Sequence, residues 1–323
     1  MNEARHVPVL LEEVLRVLDA RRRAGRPSLW LDGTLGMGGH AGALLEAAGE
    51  EAHLLGMDRD PEALVLARQA LDRFGTRVHL MHKSFTDLVD GDLAGLPYPS
   101  AGGAPAGFDG ILLDLGVSSF QLDTPERGFS FMREGPLDMR MDPTLEPSAA
   151  SWLAAAGEED LERILKDYGE ERHARRMARA VMAARDEGRL STTRDLAQVA
   201  EKVLGRPPRG AIHPATRLFQ ALRLAVNDEL RALESGLPAL AKLLAPEGRM
   251  AVISFHSLED RLVKDYFRRE STDCVCPPGL PECRCGHRAW LRVLTPKPLT
   301  AGPRESGENP RSRSAKLRAA SRI

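Results

Sequence analysis

A chain of 323 residues is long enough for one large domain or two of ordinary size, and it can bury a sizeable core without covalent staples. Hydrophobic residues make up 42% and charged residues 28%, a balance that excludes a disordered or fibrous chain, and no apolar run approaches the length of a bilayer span. The net charge of −1 hides an asymmetry: residues 261–323 hold 14 Lys and Arg against 6 Asp and Glu, which suits a polyanionic partner such as nucleic acid or, equally, a solvated tail.

In chain order, Glu3, Arg5 and His6 lack the apolar stretch of a signal peptide, so a cytoplasmic location is expected. Val9, Leu10, Val14, Leu15 and Leu18 fall at helical spacing, and Arg21, Arg22 and Arg23 suit a helix C-terminus. The apolar run Leu29-Trp30-Leu31 ends in Asp32 and is followed by the glycine-rich Gly33-Thr34-Leu35-Gly36-Met37-Gly38-Gly39-His40. A second apolar run, residues 53–57, ends at Asp58, and Asp60-Pro61 opens a helix where the missing proline N–H costs nothing. Strand, glycine loop, helix, strand and acid form the opening of a parallel α/β sheet.

Residues 78–82 and 110–113 read as the third and fourth strands, with a Pro/Gly/Ala-rich connection from Gly91 to Gly107 between them. Far downstream, Leu240, Leu243 and Leu244 lead into a turn at Pro246-Glu247-Gly248 and a strand at 249–255. The interruption is helical by periodicity. Leu161, Ile164, Leu165 and Tyr168 define one face, and Ala174, Met177, Ala178 and Val181 the next. Thr192 and Asp195 form a capping box ahead of Leu196, Val199 and Val203. The Gly/Pro-rich segment 205–210 then breaks the pattern. These signals place an all-helical insertion at 143–210 within a discontinuous domain of 1–142 and 211–323.

Glycines after a strand let the backbone approach a ligand and prepare the next helix N-terminus to receive it. Gly36-x-Gly38-x-x-Ala41, with Asp58 22 residues beyond Gly36, satisfies the dinucleotide fingerprint, so an NAD(P)-linked oxidoreductase is one reading. Asp32 favours a different ligand. An acid immediately before the loop suits positive charge over a pyrophosphate, and S-adenosylmethionine carries an ammonium and a sulfonium. Asp58 is positioned to accept hydrogen bonds from ribose hydroxyls, because Asp60 is better placed to cap the helix at Pro61. Asp114 ends the fourth strand, so Asp32, Asp58 and Asp114 are expected to converge at the carboxyl end of the sheet.

The chain resembles the bacterial S-adenosylmethionine-dependent methyltransferases that modify the exocyclic N4 of a cytosine in small-subunit (16S) ribosomal RNA. The resemblance runs nearly its whole length. It rests on His6-Val7-Pro8-Val9-Leu10, the Asp32 to His40 loop, Asp58-Arg59-Asp60-Pro61-Glu62-Ala63, and Asp114-Leu115-Gly116-Val117-Ser118-Ser119-Phe120-Gln121-Leu122-Asp123. It continues through Arg127-Gly128-Phe129-Ser130-Phe131, Gly135-Pro136-Leu137-Asp138-Met139-Arg140-Met141, Phe219-Gln220-Ala221-Leu222-Arg223 and Val226-Asn227-Asp228-Glu229-Leu230. Ser254-Phe255-His256-Ser257-Leu258-Glu259-Asp260-Arg261 and the segment from Asn309 to Arg318 complete it.

The resemblance implies an α/β fold, a class I methyltransferase (Rossmann-like) sheet with an inserted all-helical domain for substrate recognition. It implies S-adenosylmethionine as cofactor, with contacts on Gly38, Gly39, His40, Asp58, Phe85, Asp114 and Gln121, and 16S rRNA, within the small ribosomal subunit, as partner. A methyltransferase acting on another substrate is the alternative within the same class. Other amino methyltransferases carry Asp or Asn, then Pro-Pro and an aromatic at this strand end. Here Asp114-Leu115-Gly116-Val117 stands instead, which leaves Phe129 or Phe131 to sandwich the base, or to pack the loop. Asp114 is the expected catalytic group.

His256 is a candidate base or RNA contact, or a structural histidine. Asp138, Arg140 and Asp142 suit an ion-pair network ordering a loop, with an RNA phosphate as the other partner for Arg140. The basic end from Asn309 onward is expected to position RNA. Cys274-x-Cys276 and Cys283-x-Cys285-Gly286-His287 raise zinc, against reduced thiols on a Pro/Gly-rich loop, while methyl transfer calls for no metal.

Overall fold

The computed structural model describes residues 8–89, 91–92, 107–206, 208, 212–277 and 282–323. Most of the Gly91 to Gly107 connection therefore lies outside the described residues. Two compact units emerge, one from 1–116 and 232–323, the other from 117–231.

The first unit is built on a seven-stranded sheet of order β3-β2-β1-β4-β5-β7-β6. Its strands are β1 (Ser28–Asp32), β2 (Ala52–Asp58), β3 (Val78–His82), β4 (Phe108–Asp114), β5 (Leu244–Ser254), β6 (Leu291–Val293) and β7 (Lys316–Arg322). β1 to β5 run parallel, and β7 enters antiparallel between β5 and β6. Alternation of side chains along each strand feeds two cores. Trp30, Leu54, Leu112 and Ile253 pack with the helices Leu11–Leu18, Gly39–Ala48 and Pro61–Leu71. On the other face Leu29, Leu31, Leu55, Leu113 and Val252 meet Leu233, Leu237, Val263 and Phe267.

Two expectations change here. The turn at Pro246-Glu247-Gly248 is an irregularity inside β5: Phe108 pairs with Leu244, but Gly110 pairs with Arg249, and Glu247 takes a φ of 61°. The basic C-terminus is neither a solvated tail nor a free arm. Its last residues are β7, buried at Leu317, Ala319 and Ala320, with Arg318 and Lys316 paired to Asp260.

The second unit is a helical body comprising Ala149–Ala155, Glu158–Asp167, Ala174–Asp186, Thr193–Leu204 and Ala215–Asn227. Leu161, Leu165, Met177, Val181, Leu196 and Leu222 form its centre. The capping box at Thr192 is made: Asp195 N donates to Thr192 Oγ1 at 3.2 Å, and Thr192 N to Asp195 Oδ2 at 2.9 Å. The unit extends beyond 143–210 on both sides. Residues 117–142 carry no helical period, yet Leu137, Met139 and Met141 are buried in its core. Asn227 clamps them, donating to Met139 O and accepting from Met141 N, both at 2.7 Å. Among the described residues no helix is long and apolar enough to cross a membrane.

Candidate active site

At the carboxyl edge of the sheet, β1, β2 and β4 each end in an acid, and the glycine turn ties the three ends together. Gly33 N donates to Leu112 O at 2.9 Å, and a Cβ on Gly33 would lie 2.6 Å from the Leu113 side chain, so a larger residue would have to push that side chain aside for β1 to leave the sheet this close to β4. Gly38, at φ 82°, caps the helix Gly39–Ala48 in the left-handed region that favours glycine. The first turn of such a helix leaves amide N–H groups without intrahelical acceptors, which lets the start at Gly39 hold an anionic group.

Asp32 is 1% exposed, and its Oδ1 accepts from Thr34 N at 3.2 Å. Burial pushes its carboxyl up to about 7, against the Thr34 amide and with help from the charge of Asp58. Asp58 accepts from Asp60 N through Oδ1 at 2.9 Å and from Gly36 N through Oδ2 at 2.7 Å. Burial lifts it to about 6 in spite of these two donors. Asp60 caps the next helix, taking Glu62 N at 3.1 Å. That division leaves Asp58 with a second lone pair on each oxygen for ligand hydroxyls.

Asp114 is fixed by its backbone: its N–H donates to Thr34 Oγ1 at 2.6 Å, and Leu115 N donates to Ile253 O at 3.0 Å. Its carboxyl is pushed well above the usual carboxylate range by burial first, then by the charges of Asp32 and Glu259. Asp114 Oδ1 is buried with no hydrogen-bond partner in the protein. Oδ2 lies 3.6 Å from His40 Nδ1. His40 is 6% exposed, and its Nε2 lies 2.9 Å from Val9 O. A carbonyl only accepts, so Nε2 carries a hydrogen there, and Nδ1 is the ring nitrogen that faces Asp114.

Phe85 opens the short turn Phe85–Asp87 after β3, and its Cβ lies 3.2 Å from where a Cβ on Gly33 would stand. One edge of its ring is pressed onto helix Glu229–Lys242, where a Cβ on Gly236 would lie 2.5 Å away. The ring is half-buried, which fits a wall with one side packed. Glu259, 2% exposed, was not among the acids read from the sequence. Its signal was the spacing His256-x-x-Glu259: Oε2 accepts from Phe255 N and His256 N at 2.9 and 3.3 Å. His256 thereby takes a structural place, capping the helix Ser257–Glu270.

The remaining candidates lie in the helical unit. Gln121 is buried, and its Oε1 accepts from Ser118 N at 3.0 Å in a capping box on Ser119–Asp123. Asp138 and Arg140 form a two-point pair at 2.8 and 2.7 Å, joined by Glu146 at 3.0 Å. Asp142 accepts from Thr144 while adding its charge near Arg140. Arg127 donates to the carbonyls of Arg140 and Met141 at 3.0 and 2.9 Å, so this loop is held by paired cations. Phe129 is buried in the helical core, and Phe131 stacks on His213 with ring centres 4.6 Å apart.

A chemical consequence follows for the sheet unit. Three carboxylates raised by burial, with one buried acceptor oxygen unpartnered, make a site that gains when a cation enters. The ammonium and sulfonium of S-adenosylmethionine supply such charge, its ribose suits Asp58, and its carboxylate suits the helix start at Gly39.

A model of the MraW methylase family matches residues 3–323. The chain belongs to that family. Among family members it is similar to the ribosomal RNA small subunit methyltransferase H of Geobacter sp. (strain M21), 48% identical over 324 residues and 100% of both chains. The protein of the same name from Syntrophotalea carbinolica is 50% identical over 323 residues, 98% of each chain. A solved rRNA methylase from Streptococcus thermophilus covers 95% of this chain and 93% of its own at 10% identity and a TM-score of 0.40. A MraW methylase takes its methyl group from S-adenosylmethionine, which sets aside the NAD(P)-linked oxidoreductase that the glycine fingerprint also allowed.

Proposed function

We propose that this chain transfers a methyl group from S-adenosylmethionine to the exocyclic N4 of a cytosine in 16S ribosomal RNA, on the small ribosomal subunit, with Asp114 as the proton acceptor. The observation that carries this reading is Asp114 Oδ1, a buried oxygen with no partner in the protein at the end of β4. S-adenosylmethionine supplies an electrophilic methyl group when bound. The cytosine amine is a poor nucleophile, because its lone pair is delocalised into the ring. Asp114 accepts a hydrogen bond from N4 and stabilises the positive charge that develops there, then holds the released proton. Gly38, Gly39, His40, Asp58, Phe85, Asp114 and Gln121 form the proposed cofactor set. His40 contributes through the backbone at the helix start and steadies Asp114 through its ring.

The helical unit is assigned to substrate recognition. Support comes from helix Ala174–Asp186 and its approach, where Arg172, Arg175, Arg176 and Arg179 are exposed in the manner of phosphate-positioning cations. Action on ribosomal subunits puts the protein in the cytoplasm. The test is to incubate the chain with small subunits and radiolabelled S-adenosylmethionine and map the label on the RNA. N4-methylcytosine at one site is expected. Label on another atom, or none on any subunit, would overturn the assignment.

Two further results are expected. Asp58→Ala should weaken cofactor binding by about 1.5–3 kcal/mol, the range for hydrogen bonds to an ion, or roughly ten- to a hundredfold. Unchanged affinity by calorimetry would reduce Asp58 to a tie between Gly36 and Asp60. Cofactor affinity should also rise with pH through about 6 to about 7, the values of Asp58 and Asp32. A bound cation favours the ionised carboxylates, so binding releases protons. Titrations in buffers of different ionisation enthalpy read that release directly, and a flat profile would remove these acids from cation binding.

A further inference from the structure

The four cysteines come together outside the methyl-transfer site, in the segment between helix Ser257–Glu270 and β6. Their Sγ atoms all lie within 4.8 Å of one another. Cys283 and Cys285 are 3.5 Å apart, and Cys285 and Cys274 are 3.9 Å apart. Four sulfurs bound to one zinc at ~2.3 Å stand about 3.8 Å apart at the corners of a tetrahedron. All four are free thiols.

The backbone around them is arranged for negative sulfur. Val275, the middle residue of the first C-x-C, donates its N–H to Cys285 Sγ at 3.4 Å. Arg284, the middle residue of the second, donates its N–H to Cys276 Sγ at 3.4 Å. Each pair thus serves the sulfur of the other, the outer-shell support that metal thiolates receive. His287 stands outside the cluster, which among the described residues holds the four sulfurs alone, and its Nε2 lies 3.1 Å from Arg269 O.

Below the thiols the segment is pinned by polar contacts and by Trp290, which packs on the core of Val263, Phe267 and Leu291. Trp290 donates through Nε1 to Glu270 Oε2 at 2.6 Å, and Ala289 N donates to Asp273 Oδ1 at 3.2 Å. Cys274, Cys283 and Cys285 are exposed, and so is Val275, so apolar burial does not hold the tip. We infer that Cys274, Cys276, Cys283 and Cys285 bind one structural zinc ion, a closed four-thiolate site that staples the segment between Glu270 and Leu291. Four protein ligands leave no open position, so the ion shapes the loop and does no chemistry on substrate.

The test uses the full chain, purified under reducing conditions. Metal analysis should give about one zinc ion per chain, and Cys274→Ser with Cys285→Ser should lose it. Cobalt added anaerobically to the zinc-free chain should give the intense visible bands of tetrahedral thiolate coordination, and zinc should bleach them. Protease cleavage within 271–290 should accelerate when a chelator strips the wild-type chain. No metal uptake by the reduced wild-type chain would overturn the inference, as would iron in place of zinc, equal zinc in the double variant, or octahedral cobalt spectra.

Discussion

Asp114→Asn is expected to slow single-turnover methyl transfer at saturating cofactor by ~10²–10³, with a smaller effect on cofactor affinity. Asparagine keeps the shape and one acceptor oxygen, and the backbone ties to Thr34 and Ile253 are untouched. What it loses is the charge and the ability to take a proton. His40 stands beside this carboxyl, with Nε2 spent on Val9 O and Nδ1 3.6 Å from Asp114 Oδ2. A second readout separates electrostatics from misfolding. The Asp114 carboxyl is raised well above its unfolded value, so the native apoprotein holds more protons than the unfolded chain through that interval. Stability is therefore lost as pH rises above the ordinary carboxylate range, and removing the carboxyl should raise the apoprotein Tm by an increment that grows with that rise in pH. Abolished cofactor binding with an intact rate would make Asp114 a cofactor ligand only. The search for the proton acceptor would then begin at His40, the imidazole beside it.

The parts of this site that could be read from the sequence are those where short-range chemistry decides. β1, β2 and β4 are brief apolar runs closed by Asp32, Asp58 and Asp114, and the glycines between them have few other uses. Asp60 and Pro61 announce a helix start, which leaves Asp58 for a ligand, and Asp60 does cap that helix through Glu62 N. Contacts between distant residues left weaker traces. Glu259 lies within the Ser254 to Arg261 motif, yet beyond reaching back to cap its own helix it adds its charge beside Asp114. Residues 117–142 have no period because Arg127 and Asn227, through carbonyls and amides, do the work of a repeating apolar face. The Pro246-Glu247-Gly248 triplet carries turn chemistry, and β5 absorbs it as a bulge because Arg249 regains its place opposite Gly110. Lys316, Arg318 and Arg322 made the C-terminus look solvated, since composition reports charge and not the acid that meets it. Asp260, 58 residues before Arg318, is that acid.

Removing the chain from Ala315 onward should therefore unfold the sheet unit, abolishing cofactor binding and rRNA methylation together. β7 pairs with β5 across six residues, from Ser254 opposite Lys316 to Arg249 opposite Ser321, and it is the neighbour that holds β6. Its loss would strip Leu317, Ala319 and Ala320 from the core, where burial of one leucine alone contributes about 1.5–3 kcal/mol. Asp260 would lose Arg318 Nε at 2.6 Å and Lys316 Nζ at 3.1 Å, and a largely buried charge left without its partner costs roughly 3–5 kcal/mol. The backbone bonds of β5 and β6 fall with it, so the sum reaches the whole stability of a typical domain, about 5–15 kcal/mol. The expected signature is a truncated chain with no cooperative thermal transition. Arg313→Ala keeps the strand and removes an exposed cation with its one bond to Ser306 O, so it should leave the transition in place. A truncated chain that still melts cooperatively and binds cofactor normally, yet fails on small subunits, would return this segment to the role of an RNA-positioning arm.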